Sequence, residues 1–434
     1  MSYFLLLVYI LIICLIIYKS KFFKSESLPK YSPIIIFLLK FIAGIGVYII
    51  YAFYYGDRYS SDIFKYFDDG IIIHSSIYEN PIDYLRMITG IGGDSPHLDQ
   101  YYKTCYFWIK PFNYGLFNDN LTVIRFNAIV RLFSMGNIHI HTLIMSFLSF
   151  IGLWSIFRLF ENKFHKQKWL LVLVIFFIPS VYFWTSGILK EGILIFAFGL
   201  LLHSFNKLIT EKFSLIIILG LVISIYILLI SKFYVLIAAL PGLFFILITK
   251  GKPTKKLFAK YILIHIIFLS IAWVTKPIIG VSFPEILAKK QHDFINYSNS
   301  LKQVGSKIEI QEIEPNIISI IKATPKALIN TIFRPTIFEI SNPMMLLAAI
   351  ENLILLLFMV LTAIFFSKRN LKNPWLWFCV SFVLILFTLS GITTPILGAL
   401  VRYKAPALPF FGLILMYLIN FEKIEKLRKR LIPF

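Results

Sequence analysis

Long uninterrupted apolar blocks constrain this chain more than any other feature. "LLLVYILIICLIIY" stands near the start, "SLIIILGLVISIYILLIS" in the middle and "MMLLAAIENLILLLFMVLTAIFF" toward the end. Each approaches or exceeds the ~20 residues that cross a hydrocarbon core about 30 Å thick. In lipid a segment must satisfy its own backbone polar groups, so each block predicts a helix. The alternating pattern of a membrane β-barrel is absent. Hydrophobic residues make up 58% of the chain and charged residues 15%, whereas a soluble domain is about half apolar and about a quarter charged. The fold class expected is all-α: a polytopic integral membrane protein with two long external loops carrying surface helices.

The apolar blocks place eleven helices near residues 2–18, 33–55, 137–160, 169–187, 190–206, 213–231, 233–249, 257–275, 342–366, 374–390 and 405–420. The first is read as retained, because the positive n-region and small-residue cleavage site of a signal peptide are missing. The connections alternate in character. With Arg158 and Lys260, one short, basic set holds 23 of the 43 Lys and Arg residues. The three short connections of the other set carry only Lys190, Lys232, Arg402 and Lys404. Positive charge resists translocation, so the basic set is expected in the cytoplasm. The N-terminus is then external and the C-terminus cytoplasmic. Residues 1–434 read as a single transmembrane domain, with 56–136 and 276–341 as the two long external connections. The apolar runs in these connections, among them "GIIIHSSIYENPIDYLRMI", "LTVIRFNAIVRLFSM" and "PNIISIIKATPKALINTIF", have helical spacing with charge on one side, as helices lying along a membrane surface do.

The net charge of +21 would suggest nucleic acid in a soluble protein. Here it is the pattern of topology determinants facing anionic lipid, and no nucleic-acid partner is expected. Cys14, Cys105 and Cys379 form no CxxC, so neither a disulfide framework nor a zinc ribbon is indicated. No P-loop, GxSxG, HExxH or dinucleotide fingerprint occurs.

The chemistry-bearing residues gather on one side of this topology. The second helix runs into "GDRYSSDIFKYFDDG", with Asp57, Arg58, Asp62, Asp68 and Asp69. A carboxylate held at a helix end can act as general base for a hydroxyl arriving from water. Two such carboxylates can instead hold a divalent cation such as Mg or Mn; no other cofactor is indicated. The plainer alternative is a solvated loop. The connection "IPSVYFWTSGILKEG" carries Trp184, Lys190 and Glu191 at the start of a very apolar helix, where charge is costly unless it faces a cavity or a partner. Lys190 can meet a phosphate and Glu191 can orient it or bind an acceptor; the plainer alternative is an interfacial Trp with a snorkelling Lys. Arg334 precedes a helix in the second long connection, and Arg402 with Tyr403 opens the last. A guanidinium fork suits phosphate oxygens, although a simple headgroup contact would place it equally well. His74, His97, His139 and His141 lack the spacing of a zinc site.

This layout resembles the polytopic glycosyltransferases of the GT-C superfamily, which use polyprenyl-phosphate sugars. "GDRYSSD" is similar in place to the acidic residue of their first large external loop, and "PIDYLRMI" and "VIRFNAIVRLF" to the surface helices there. "VRYKAPALP" is similar to their late external "RY" with prolines nearby. "PSVYFWTSGILKEG" looks like a segment of bacterial membrane proteins grouped with these enzymes. Two helices precede the acidic loop where the family usually has one, and the nearest acidic pair is Asp68–Asp69.

The resemblance implies an inverting membrane glycosyltransferase at the external face of a bacterial inner membrane, in cell-envelope polysaccharide biosynthesis. Its partners would be membrane lipids and a polyprenyl-phosphate sugar or other lipid-linked glycan. Asp57, Asp62 or Asp69 would be the base. Arg402, Lys190, Arg334 and Arg58 would hold the donor phosphate, and Glu191, Tyr403 and Trp184 would orient the acceptor. A polymerase or ligase acting on lipid-linked glycans is the first alternative. A flippase or transporter of a lipid-linked precursor is the second.

Overall fold

The computed structural model describes residues 2–59, 61–109, 118–211, 213–273, 280, 282–300 and 306–431. The principal helices are α1 (Ser2–Lys19), α2 (Ser32–Ile49), α3 (Asp62–Glu79), α4 (Pro81–Thr89), α5 (Asn120–Ser134), α6 (Ile138–Glu161), α7 (Lys168–Phe176), α8 (Pro179–Trp184) and α9 (Lys190–Thr210). They continue with α10 (Leu215–Thr249), α11 (Leu257–Trp273), α12 (Phe283–Ser300), α13 (Ile317–Phe333), α14 (Pro343–Ile364), α15 (Pro374–Thr393), α16 (Leu397–Lys404), α17 (Leu408–Leu418) and α18 (Phe421–Leu431). The protein is an all-α polytopic membrane protein: among the described residues, eight helical stretches are long and apolar enough to cross a membrane.

The other expected spans are accounted for by particular residues. Residues 169–187 form two helices, α7 of nine residues and α8 of six, each too short to cross alone. The apolar part of α11, Leu257–Ala272, is also shorter than a full span. At 35 residues, α10 would be roughly 52 Å long at 1.5 Å per residue, well beyond a ~30 Å core. Lys232 breaks it, with φ −144° and ψ 73°, at the residue that separates the two apolar runs in the sequence. The last span begins at Leu397 rather than 405, because a 3-10 turn, Ala405–Ala407, joins α16 to α17.

The chain forms two compact units. The first is Met1–Phe176 with Tyr182–Phe233, and the second is Phe177–Val181 with Tyr234–Phe434. In the first unit α3, α4 and α5 form in the long connection as their spacing predicts. Their apolar faces turn onto one another: Ile73, Met87, Val123, Ile124 and Ala128 are fully buried. Asn80 caps α4 by accepting from Ile82 N at 3.0 Å. By contrast α1 keeps Tyr3, Phe4 and Leu11 exposed, as a lipid-facing helix does.

Helices α6 and α9 pack at their glycines. A Cβ on Gly199 would lie 2.0 Å from Gly152 O, and one on Gly152 would lie 2.2 Å from Ile195 O. Backbone cannot yield as a side chain does, and overpacking costs about 1–3 kcal/mol. Gly199→Ala is expected to lower the melting temperature of the detergent-solubilised protein, whereas Gly46→Ala, with open space around it, should leave it unchanged.

Candidate functional site

Five of the singled-out residues lie in the segment that leaves α2. That helix ends in a π-helical turn, Ile50–Tyr54, and Gly56, at φ +68°, turns the chain out of it. Asp57 follows, exposed to solvent. Its Oδ1 accepts from Tyr59 N at 2.9 Å, and its carbonyl accepts from Ser61 Oγ at 2.7 Å. Both hold the loop in shape. Arg58 turns to Asp68 with two bonds, Nε to Oδ2 at 3.1 Å and Nη2 to Oδ1 at 2.6 Å, and lies 4.6 Å from the Phe64 ring centroid. Asp62 opens the first turn of α3, where a negative charge favours the helix dipole.

Asp69 is fully buried and accepts from the backbone N–H groups of Tyr106 and Phe107 at 2.7 and 2.8 Å. Burial pushes its carboxyl above the usual carboxylate range, against the two N–H donors that pull it down. This carboxylate pins the middle of the long connection back onto α3. Truncation to Ala would orphan two backbone donors, at about 1–3 kcal/mol each.

Lys190 and Lys232 converge on a residue that sequence reasoning had not singled out. Lys190 Nζ sits 3.0 Å from Asp119 Oδ1, and Lys232 Nζ sits 2.9 Å from Asp119 Oδ2. Lys190 and Asp119 are buried and Lys232 is largely so, with side chains 11–12% exposed. Lys190 also lies 5.8 Å from the Tyr66 ring centroid, and Tyr66 donates to Asn120 Oδ1 at 3.1 Å. Lys232 can reach Asp119 because it sits at the break in α10. Glu191 is buried beside Lys190 at the start of α9, and Trp184 is half-buried against Phe183.

Lys40 is the main exception to helix centres that are nearly free of charge in the sequence. It is buried and donates to Thr185 Oγ1 at 2.6 Å and Ser186 Oγ at 3.1 Å. His141 is buried between Asn127 Oδ1 and Ser134 Oγ, 2.8 Å from each.

In the second unit Arg402 and Tyr403 are half-buried on α16, with the Tyr403 ring 6.4 Å from Phe294. Arg334 caps the end of α13, and its Nε lies 3.3 Å from Glu339 Oε1. Their neighbour Lys404 is almost wholly buried. Its Nζ donates to Thr331 O at 2.9 Å, Arg334 O at 2.8 Å and Asn352 Oδ1 at 3.2 Å. Glu351 is buried too and accepts from the backbone N and the hydroxyl of Ser180.

Among the described residues no group of three or more His, Cys, Asp and Glu side chains stands together in a way that could hold a metal ion. The first unit thus combines an exposed carboxylate on a fixed loop with a pair of ammonium groups that both meet the Asp119 carboxylate. The first is suited to taking a proton from a hydroxyl, the second to meeting an anion. Compared with known proteins, the chain matches no family model, no curated protein and no solved structure.

Proposed function

We propose that this protein is a bacterial inner-membrane glycosyltransferase that moves a sugar from a polyprenyl-phosphate donor to an acceptor hydroxyl at the external face. The observation that carries the reading is the contrast among the three candidate bases. Asp69 is spent on two backbone donors and Asp62 opens a helix, whereas Asp57 is exposed on a loop fixed by Tyr59 N and Ser61 Oγ. The π-helical turn just before it adds support, since such turns are frequent at functional sites.

In this mechanism Asp57 takes the proton of the acceptor hydroxyl as its oxygen attacks the anomeric carbon. The bond from that carbon to the phosphate oxygen breaks, and the electron pair leaves with the phosphate. One displacement inverts the anomeric centre. Lys190, held by Asp119, faces the charge that develops on the departing phosphate, where electrostatic stabilisation acts most strongly.

Lys190→Gln tests the second role. It leaves Asp119 paired with Lys232, so folding should survive. The KM for the donor is expected to rise roughly tenfold, the loss of about one charge-assisted hydrogen bond, with a smaller change in acceptor KM. An unchanged donor KM in steady-state transfer assays would remove Lys190 from the phosphate site.

A further inference from the structure

The second unit holds a cleft that sugar transfer does not call on. It lies between α13, the end of α15 and the segment around Gln311. Its lining includes Gln311, Lys326, Asn330, Gly391 and Ile392. The walls are fixed from behind. Gln291, buried, donates from Nε2 to both Gln311 O and Ile392 O at 2.8 Å, and its Oε1 accepts from Ile313 N at 2.8 Å. Gly391 lets α13 and α15 close on one another: a Cβ there would sit 2.3 Å from Ala327 O.

Asn330 lines this cleft at 6% exposure, and its Nδ2 has no hydrogen-bond partner among the described residues. A buried amide left without a partner is costly, and the cleft, about 10 Å³ in volume, admits one oxygen-sized acceptor that the protein itself does not supply.

Helix α13 explains what kind of acceptor. At 100° per residue its buried face carries Ala323, Ala327, Asn330 and Thr331. The opposite face exposes Ile318, Ile321, Ile329 and Phe333 at 41–63%. Lys326 lies on the border between the two faces beside Asn330, and Lys322, one turn earlier, lies toward the same edge of the exposed face, between Ile329 and Phe333 in projection. Both are exposed, and neither makes an ion pair among the described residues. An exposed apolar stripe bordered by lysines is the pattern of a helix that rests in the interface of an anionic membrane.

We infer that the cleft at Lys326 and Asn330 binds the phosphate headgroup of an anionic phospholipid, whose acyl chains lie along the isoleucine face of α13. The headgroup's phosphate oxygens accept from Asn330 Nδ2 at the cleft and from the Lys326 and Lys322 ammonium groups at its mouth. The membrane lipid supplies the negative charge that the two lysines lack in the protein. This site is independent of sugar transfer and of Asp57.

The test is thermal melting of the delipidated, detergent-solubilised protein in mixed micelles. Dioleoylphosphatidylglycerol is titrated against dioleoylphosphatidylcholine, which has the same chains and no net charge. A saturable stabilisation by phosphatidylglycerol is expected, with a much smaller one by phosphatidylcholine. Lys326→Gln should weaken the apparent affinity about fivefold, and Lys322→Gln with Lys326→Gln about 25-fold, from the ~1 kcal/mol that each basic residue contributes near an anionic membrane. Both are surface substitutions, so the melting temperature without lipid should not move. Asn330→Ala should weaken binding further, and it is interpreted only where that lipid-free melting temperature is kept.

Equal stabilisation by the two lipids, or an undiminished phosphatidylglycerol response in the double lysine variant, would overturn the site. If inorganic phosphate reproduced the effect, the cleft would be one for a free anion. If polyprenyl phosphate bound there in preference to phosphatidylglycerol, the cleft would belong to the donor and the phospholipid assignment would fall.

Discussion

Asp57→Asn is expected to lower the rate of sugar transfer by about 10²–10⁴-fold, the usual worth of a positioned general base. The substitution keeps shape and removes only the ability to take a proton. Asp57 is exposed and its Oδ1 accepts from Tyr59 N, a bond that an Asn carbonyl can also accept. Folding should therefore be unaffected, within the ~0.5 kcal/mol typical of surface changes. Donor affinity, read separately by equilibrium binding, should change less than twofold, because in the proposed mechanism the carboxylate acts on the acceptor. Asp69→Asn provides the contrast. An amide group can replace only one of the two acceptor contacts to Tyr106 N and Phe107 N. Its loss of activity should come with a lower melting temperature, as a structural role demands. Near-normal turnover by Asp57→Asn would remove that residue as the base.

The largest effect on stability is expected at Asp119. Its carboxylate is shared by Lys190 and Lys232 at 3.0 and 2.9 Å. Removing one member of a buried ionic group leaves uncompensated charge and costs about 3–5 kcal/mol. Asp119→Ala takes the shared carboxylate away from two ammonium groups at once and should fall within that range, with reduced yield of folded protein. The substitution Asp119→Leu combined with Lys190→Met and Lys232→Met should recover much of the loss, since buried ion clusters replaced by apolar groups of similar volume are often neutral or better. The three changes would then be strongly non-additive, as residues sharing one network are. If Asp119→Ala alone melted like the native protein, the three groups would not form a buried cluster.

What the sequence made legible follows from where each signal resides. The apolar blocks are local and long, so the helices and their membrane character could be read directly. The break in α10 was readable at Lys232, where a charge interrupts the apolar run. The fusion of α16 and α17 into one span starting at Leu397 was not, since "VRYKAPALP" reads as a loop until the 3-10 turn Ala405–Ala407 is seen. The surface-helix spacing of α3, α4 and α5 was correct as helix. It could not tell an apolar face meant for lipid from one that packs on its neighbours, and Val123 and Ile124 are fully buried.

The site was legible in outline and not in its pairings. Lys190 and Lys232 stood out as cations in otherwise sparse connections, but their shared partner was invisible. Asp119 is 113 residues from Lys232 in the chain, and it lies among many acidic residues of the first long connection. Arg58 was offered as a phosphate ligand, and the structure brings it to Asp68 instead. Lys404 read as one more topology charge, whereas it is buried and ties α16 to the carbonyls that end α13.

The most direct test of the account is sugar transfer by the purified protein. Native protein and Asp57→Asn, reconstituted in lipid, would be supplied with radiolabelled sugars on polyprenyl phosphate and with membrane-extracted acceptors. A glycosyltransferase with Asp57 as its base should transfer label as the native protein, with inversion at the anomeric carbon, and almost none as Asp57→Asn at equal donor binding. No transfer from any polyprenyl-phosphate donor by well-folded native protein would contradict that reading and would favour a polymerase or a transporter of lipid-linked glycans.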